Sequence, residues 1–160
     1  MVGSLARLKL QGDQLKGDVK DLYKSANLDF DNPFHNNLAQ AIETLHFAQE
    51  ANEILEELIK EGVDYRATDL PKEYKPAKTS HGVGAVEAPR GGLYYEIKID
   101  KRGLIASCNI ITPTVQNLTS IEESAQAVLD QTSGQSTKRR QELLEMLVRA
   151  YDPCITCSVH

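Results

Sequence analysis

The chain has 160 residues, 41% apolar and 26% charged, with no Trp and a formal net charge of -5. That length suits a single domain over residues 1–160 with a modest core. The acidic balance argues against nucleic acid as the main partner, because phosphates call for a basic surface. No apolar run reaches the length of a membrane span, and MVGSLARLKL is too short and interrupted for a secretory signal, so the expected location is cytoplasmic.

In chain order, a short helix is expected from about Gln14 to Ala26. Next comes NPFHNNLAQAIETLHFAQEANEILEELIKEG. Asn32 can cap and Pro33 fits a first helical turn. Leu38, Ile42, Leu45, Gln49, Asn52 and Leu55 share one face at steps of three and four, Leu58 and Ile59 extend it, and Gly62 can end it. The spacing predicts a long helix from about Pro33 to Glu61. A polar connector with two prolines follows over Asp64 to Ser80, and then the Gly-rich run HGVGAVEAPRGG. LYYEIKID and GLIASCNIIT are strand-like and flank the turn Asp100–Gly103, which reads as a hairpin. Ser120 and Glu123 make a capping-box pattern for a helix to about Gln131. A last helix, about Thr137 to Ala150, carries Leu143, Leu144, Leu147 and Val148 on its apolar side and delivers Tyr151, Asp152 and the chain end. The expected fold class is α+β: mostly helical, with a long core helix and one small antiparallel hairpin.

The chemistry concentrates in two stretches. The last nine residues, DPCITCSVH, hold two of the three cysteines, a carboxylate and a histidine. Thiolates at i and i+3 can grip one soft metal such as Zn, Ni, Fe or Cu(I), but they make only half a tetrahedron. An incidental thiol pair near a terminus stays open as an alternative. A thioredoxin-like motif is disfavoured, because the pair follows the last helix instead of opening one. Three cysteines do not make a disulfide framework. Cys108 reads as a buried small hydrophobe in its strand-like run. His35, His46 and His81 carry no ligand signal. In VEAPRGG, Arg90 can offer a charge-assisted fork to an anion or pair with a local carboxylate such as Glu87.

Taken together, SHGVGAVEAPRGGLYYEIKID, NIITPTVQNL and YDPCITCSVH, in that order, resemble the C-terminal part of the large subunit of nickel–iron hydrogenases. NPFHNNLAQAIE is similar to the corresponding helix of that family. The likeness is greatest to the soluble multisubunit group that couples hydrogen to NAD(P) or related acceptors. It implies a nickel–iron centre whose iron carries carbon monoxide and two cyanides. Cys154 would be a terminal nickel ligand and Cys157 would bridge the two metals. Arg90 would lie over the open side of the metals, Asp152 would hold it, and Pro89 would shape the wall. In Thr112-Pro113-Thr114, the Thr114 hydroxyl would donate to a cyanide. His160 would bind a magnesium or iron ion with the backbone carbonyl of Ile110.

The family's second Cys-x-x-Cys is not among these 160 residues. The resemblance therefore implies the C-terminal half of a large subunit, either a split subunit or a fragment, with an N-terminal chain supplying the other thiolates. It also implies an iron–sulfur small subunit, further electron-transfer subunits and maturation proteins. Two other functions compete: a zinc or redox module built on Cys154, Cys157 and His160, and a scaffold related to the quinone-site subunit of respiratory complex I. The cysteine pair argues against the scaffold.

Overall fold

In the computed structural model, which describes residues 1–63 and 78–158, the core forms where three N-terminal helices meet. Helix α1 (Ser4–Gln11) packs Leu5 and Leu8 on α3 (Asn36–Glu61), which answers with Ala39 and Ile42. Both pairs lie three residues apart, the spacing that puts side chains on one helical face. Leu15 and Val19 of the following turn and α2 (Gly17–Ser25) close the cluster. α2 lies inside the span expected for it, whereas α1 was not anticipated.

The Oδ1 of Asn32 accepts from the Phe34 amide at 3.1 Å, Pro33 opens a 3-10 turn, and α3 then runs unbroken to Glu61. Only its first turns are buried. Leu45 and Leu55 on the expected apolar face are 40% and 57% exposed, and Ile42 alone of that set is buried. The side chain of Asn36 joins three elements. Its Nδ2 donates to the carbonyl of Ala150 at 2.8 Å and its Oδ1 accepts from the amide of Leu5 at 3.3 Å. One residue thus satisfies an orphan carbonyl at the end of one helix and an orphan amide at the start of another.

A three-stranded antiparallel sheet, β1 (Ser80–Ala88), β2 (Gly91–Ile99) and β3 (Ile105–Ile111), follows in meander order. β2 and β3 are the expected hairpin, and the Gly-rich run before them is a further edge strand. Asp100 organises the β2–β3 turn, where its Oδ1 accepts from the amides of Arg102 and Leu104 at 2.8 and 3.0 Å. The Leu104 amide first, and then Arg102, holds the carboxyl below its usual pKa. Cys108 is exposed, contrary to the reading that buried it, because β3 is an edge strand whose seven residues are all exposed.

Short α4 (Pro113–Gln116) leads into α5 (Leu118–Gln131), which pairs with α6 (Thr137–Tyr151). The capping box on Ser120 does not form, since α5 starts two residues earlier. The hydroxyls of Ser120 and Ser124 instead reach the hydroxyl of Tyr151 at 2.8 and 2.9 Å, which itself donates to the Ser120 carbonyl at 2.9 Å. Of the apolar side expected for α6, Leu147 is buried and Val148 is 46% exposed. The polar connector lies outside the described residues as far as residue 77. No helix among the described residues is long and apolar enough to cross a membrane.

Ile42 is fully buried, so Ile42→Ala is expected to cost about 2–5 kcal/mol, read by denaturant unfolding. Because the folded-state pKa of Asp100 is lowered, its contribution to the turn is whole above the ordinary carboxylate value of about 4 and is lost as pH falls through the lower folded value. An NMR titration following the Leu104 amide is expected to move only in that acid range.

Candidate functional site

The β1–β2 connection is as short as a hairpin allows. Ala88 pairs with Gly91, which leaves Pro89 and Arg90 as the turn. Gly91 has φ +131°, and a Cβ there would meet the side chain of Val2 at 2.8 Å. This position therefore takes glycine for both backbone and space. Gly3, the N-cap of α1 with φ +109°, presses on the turn from the other side, since a Cβ there would lie 2.9 Å from the carbonyl oxygen of Arg90. The segment carrying Gly3 is itself pinned by Asn117, whose Oδ1 accepts from the Val2 amide at 2.7 Å.

The Arg90 side chain meets Asp152. Its Nη2 donates to Oδ1 at 3.0 Å, and its Nε stands 2.9 Å from Oδ2 in ion-pair contact without hydrogen-bond alignment. Asp152 is the C-cap of α6, in the left-handed conformation at φ 50° and ψ 57°. That conformation turns the chain out of the helix, and Pro153 cannot re-enter it. Gln40, on α3, donates to Asp152 Oδ2 at 3.1 Å. The pairing of Arg90 with Glu87 does not occur, because Glu87 is bound to Arg7.

Arg7 was not singled out in the sequence. Its side chain is 19% exposed and its guanidinium is surrounded by acceptors. Nε and Nη2 take both oxygens of Glu43 at 2.8 and 2.6 Å; Nη1 reaches Glu87 and the carbonyl of Ala88 at 3.1 Å; Nη2 also reaches the carbonyl of Pro89 at 2.7 Å and Ser4 Oγ at 3.2 Å. The hydrogen bond to Glu43, above all, raises the Arg7 pKa and keeps it charged. Gln40 and Glu43 stand three residues apart on one face of α3, so one helix supports both arginines. A cavity of about 560 Å³ opens beside Arg7, lined also by Gln40, Glu43, Glu87, Pro89 and Asp152. The signal available in the sequence was a lone arginine inside the apolar run of α1.

Beyond Pro153 the chain makes a 3-10 turn, Ile155–Ser158. It begins where the amide of Cys154 donates to Thr114 Oγ1 at 3.0 Å and the amide of Cys157 to the carbonyl of Cys154 at 3.2 Å. The Cα atoms of the two cysteines are 5.3 Å apart and their sulfurs are paired with each other. Thr112 caps α4 through its Oγ1, which accepts from the Val115 amide, and Pro113 is buried in the first turn of that helix. The structure thus gathers Pro89, Arg90, Asp152, Thr112, Pro113, Thr114, Cys154 and Cys157 around one corner. Ile110 stays in the β3 ladder opposite Tyr95, and His160 lies outside the described residues.

The two sulfurs are bonded to each other here; once that bond is reduced by two electrons, two thiolates on one turn would fit two corners of a thiolate-ligated metal. Among the described residues no group of three or more His, Cys, Asp or Glu could hold an ion. The remaining ligands of such a centre would come from elsewhere.

Residues 2–160 match the family model described as nickel-dependent hydrogenase. The chain is 40% identical to sulfhydrogenase 1 subunit alpha of Pyrococcus furiosus over its whole length, covering 36% of that protein. It is 34% identical to the NAD-reducing hydrogenase HoxS subunit beta of Cupriavidus necator over 79% of the chain and 26% of the relative. The structure superposes with a TM-score of 0.80 and 25% identity on the crystal structure of an NAD+-reducing nickel–iron hydrogenase in its hydrogen-reduced state, covering 99% of this chain and 35% of that one. This match bears out the α+β class with its long helix. The chain spans about a third of the length of the curated relatives it matches.

The Cys154 amide donates to Thr114 Oγ1. Thr114→Val is expected to destabilise the terminal turn by about 0.5–1.5 kcal/mol, the net worth of the lost hydrogen bond, while Thr114→Ser retains the bond. Hydrogen exchange at the Cys154 amide distinguishes the two.

Proposed function

The chain belongs to the nickel-dependent hydrogenase family, and from that premise we propose that it forms the C-terminal part of a hydrogenase catalytic subunit that splits dihydrogen reversibly and heterolytically. The observation that carries this reading is the ion pair of Arg90 and Asp152, set directly before the turn where Cys154 and Cys157 come together. A charged fork beside a pair of soft donors is an arrangement suited to anionic ligands and proton handling at a thiolate-bound metal.

In this reading Cys154 and Cys157 hold two of the four thiolate positions of a nickel–iron centre whose iron carries carbon monoxide and cyanide. When bound, that centre supplies the two-electron chemistry of the reaction. The chain's own residues do the rest. Arg90, oriented by Asp152, would offer an N–H to a cyanide and act as, or tune, the group that handles the proton released from dihydrogen. The Thr114 hydroxyl oxygen accepts from the Cys154 amide, and its proton would be offered to the other cyanide. Thr112 and Pro113 set the short helix that presents it. Pro89 walls the site from the side of β1. His160 and the carbonyl of Ile110 take a magnesium or iron ion.

The other two thiolates come from outside these residues, from an N-terminal large-subunit segment or chain. An iron–sulfur small subunit and further electron-transfer subunits carry the electrons away, in the cytoplasm. Maturation proteins load the metals.

The assembled complex is expected to contain nickel and iron and to show infrared bands of metal-bound carbon monoxide and cyanide. A complex that holds only zinc would sink the reading and favour the Cys-x-x-Cys module. Cys157→Ala is expected to abolish hydrogen turnover. Arg90→Lys keeps the charge but loses the fork and is expected to cut turnover by about 10²-fold or more, with nickel content unchanged.

A further inference from the structure

Arg90 sits at the tip of a two-residue hairpin turn, a place where chains are usually mobile and solvated. Here, although Pro89 is exposed and Arg90 half-buried, the two carbonyls that precede Arg90, those of Ala88 and Pro89, both accept from Arg7. Five guanidinium N–H bonds meet six acceptors on Arg7, so at least one is shared and none is left for solvent. The fork is also locked from behind. Both oxygens of Glu43 engage it, and Glu43 is fixed on α3 one turn after Gln40, the residue that holds Asp152. The backbone on the other side of Arg90 is hemmed in by Gly3 at the start of the same helix, where a Cβ would lie 2.9 Å from the Arg90 carbonyl oxygen.

Helix α1 therefore clamps the turn at two points four residues apart, and α3 sets the partner that Arg90 must meet. A lysine at position 7 could answer Glu43 with one ammonium. It could not span Glu43 and both carbonyls, since a point charge lacks the planar fork.

We propose that Arg7 is a positioning residue: by bridging Glu43 to the carbonyls of Ala88 and Pro89, it holds the Pro89–Arg90 turn so that the Arg90 guanidinium faces Asp152 and the cysteine turn. Arg7 acts through Arg90. This assignment rests on the proposed role of Arg90 in hydrogen activation, and deepens it.

The test uses the assembled, metal-loaded complex with Arg7→Lys and Arg7→Met. Both variants are expected to retain wild-type nickel content and lose about 10- to 100-fold in turnover, the scale of a small misplacement of a reacting group. Both are expected to shift the cyanide infrared bands in the direction that Arg90→Lys shifts them. Amide exchange at Arg90 and Gly91 should rise in both variants without any rise in α6. Wild-type bands and turnover in Arg7→Lys would overturn the proposal, as charge alone would then suffice. Loss of nickel in both variants would overturn it in favour of a structural arginine. If the wild-type complex itself lacks carbon monoxide and cyanide bands, the hydrogenase reading fails first. The exchange measurement then still decides whether Arg7 holds the turn.

Discussion

A guanidinium cannot enter a protein interior unless nearly all of its N–H groups are met. Arg7 enters between Leu5 and Leu8, two residues with almost no exposure, and that burial dictates much of what surrounds it. Its acceptors come from α1, from α3 and from the end of β1. Helix, helix and hairpin tip must therefore arrive together, or a charge is stranded. Removing Arg7 would leave Glu43 buried and unpaired, which costs more than the pair contributes when intact. Asn36 plays the neutral counterpart two turns earlier on α3 by tying α1 and α6 to that helix. The first two turns of α3 thus act as the shared wall of the core and of the candidate site.

The parts of the fold legible in the sequence were those with a local cause. Asn32, Pro33 and Gly62 punctuate α3, and the structure begins and ends the helical run where they stand. The β2–β3 hairpin has a turn built by Asp100 and was visible for that reason. What escaped had a tertiary cause. β1 contains Gly82 and Gly84, which weaken any strand signal, and it is held by its ladder to β2. α1 is eight residues long and too short to show a period, and its packing on α3 selects it. Ser120 looked like a cap because capping boxes are a sequence pattern, but Tyr151, thirty-one residues away, claims its hydroxyl. Cys108 and the far half of α3 carry apolar sequence that the described residues do not cover. Periodicity records that a face is apolar, not what lies against it.

The candidate site divides the same way. Cys154 and Cys157 were legible because three residues of spacing nearly suffice to bring two sulfurs together. Arg90 was legible as an oddity among glycines, but its partner was not, since Glu87 is near in sequence while Asp152 is sixty-two residues away. Family resemblance paired Arg90 with Asp152 where local reasoning favoured Glu87. The Arg7–Glu43 bridge behind them lay beyond both readings, because nothing in a single sequence links residues thirty-six apart on separate helices.

Asp152 sits in the left-handed backbone region, where a residue with a Cβ pays roughly 1 kcal/mol that glycine does not. Glycine would be the cheaper way to end α6, and most helices that stop in this manner use it. A laboratory selection for thermal endurance alone would therefore drift toward glycine at this position and strip Arg90 of its partner while the fold gained. The carboxylate at residue 152 marks a place where robustness and the chemistry proposed for Arg90 pull in opposite directions, so a consensus or thermostabilising redesign of this chain has reason to leave it alone.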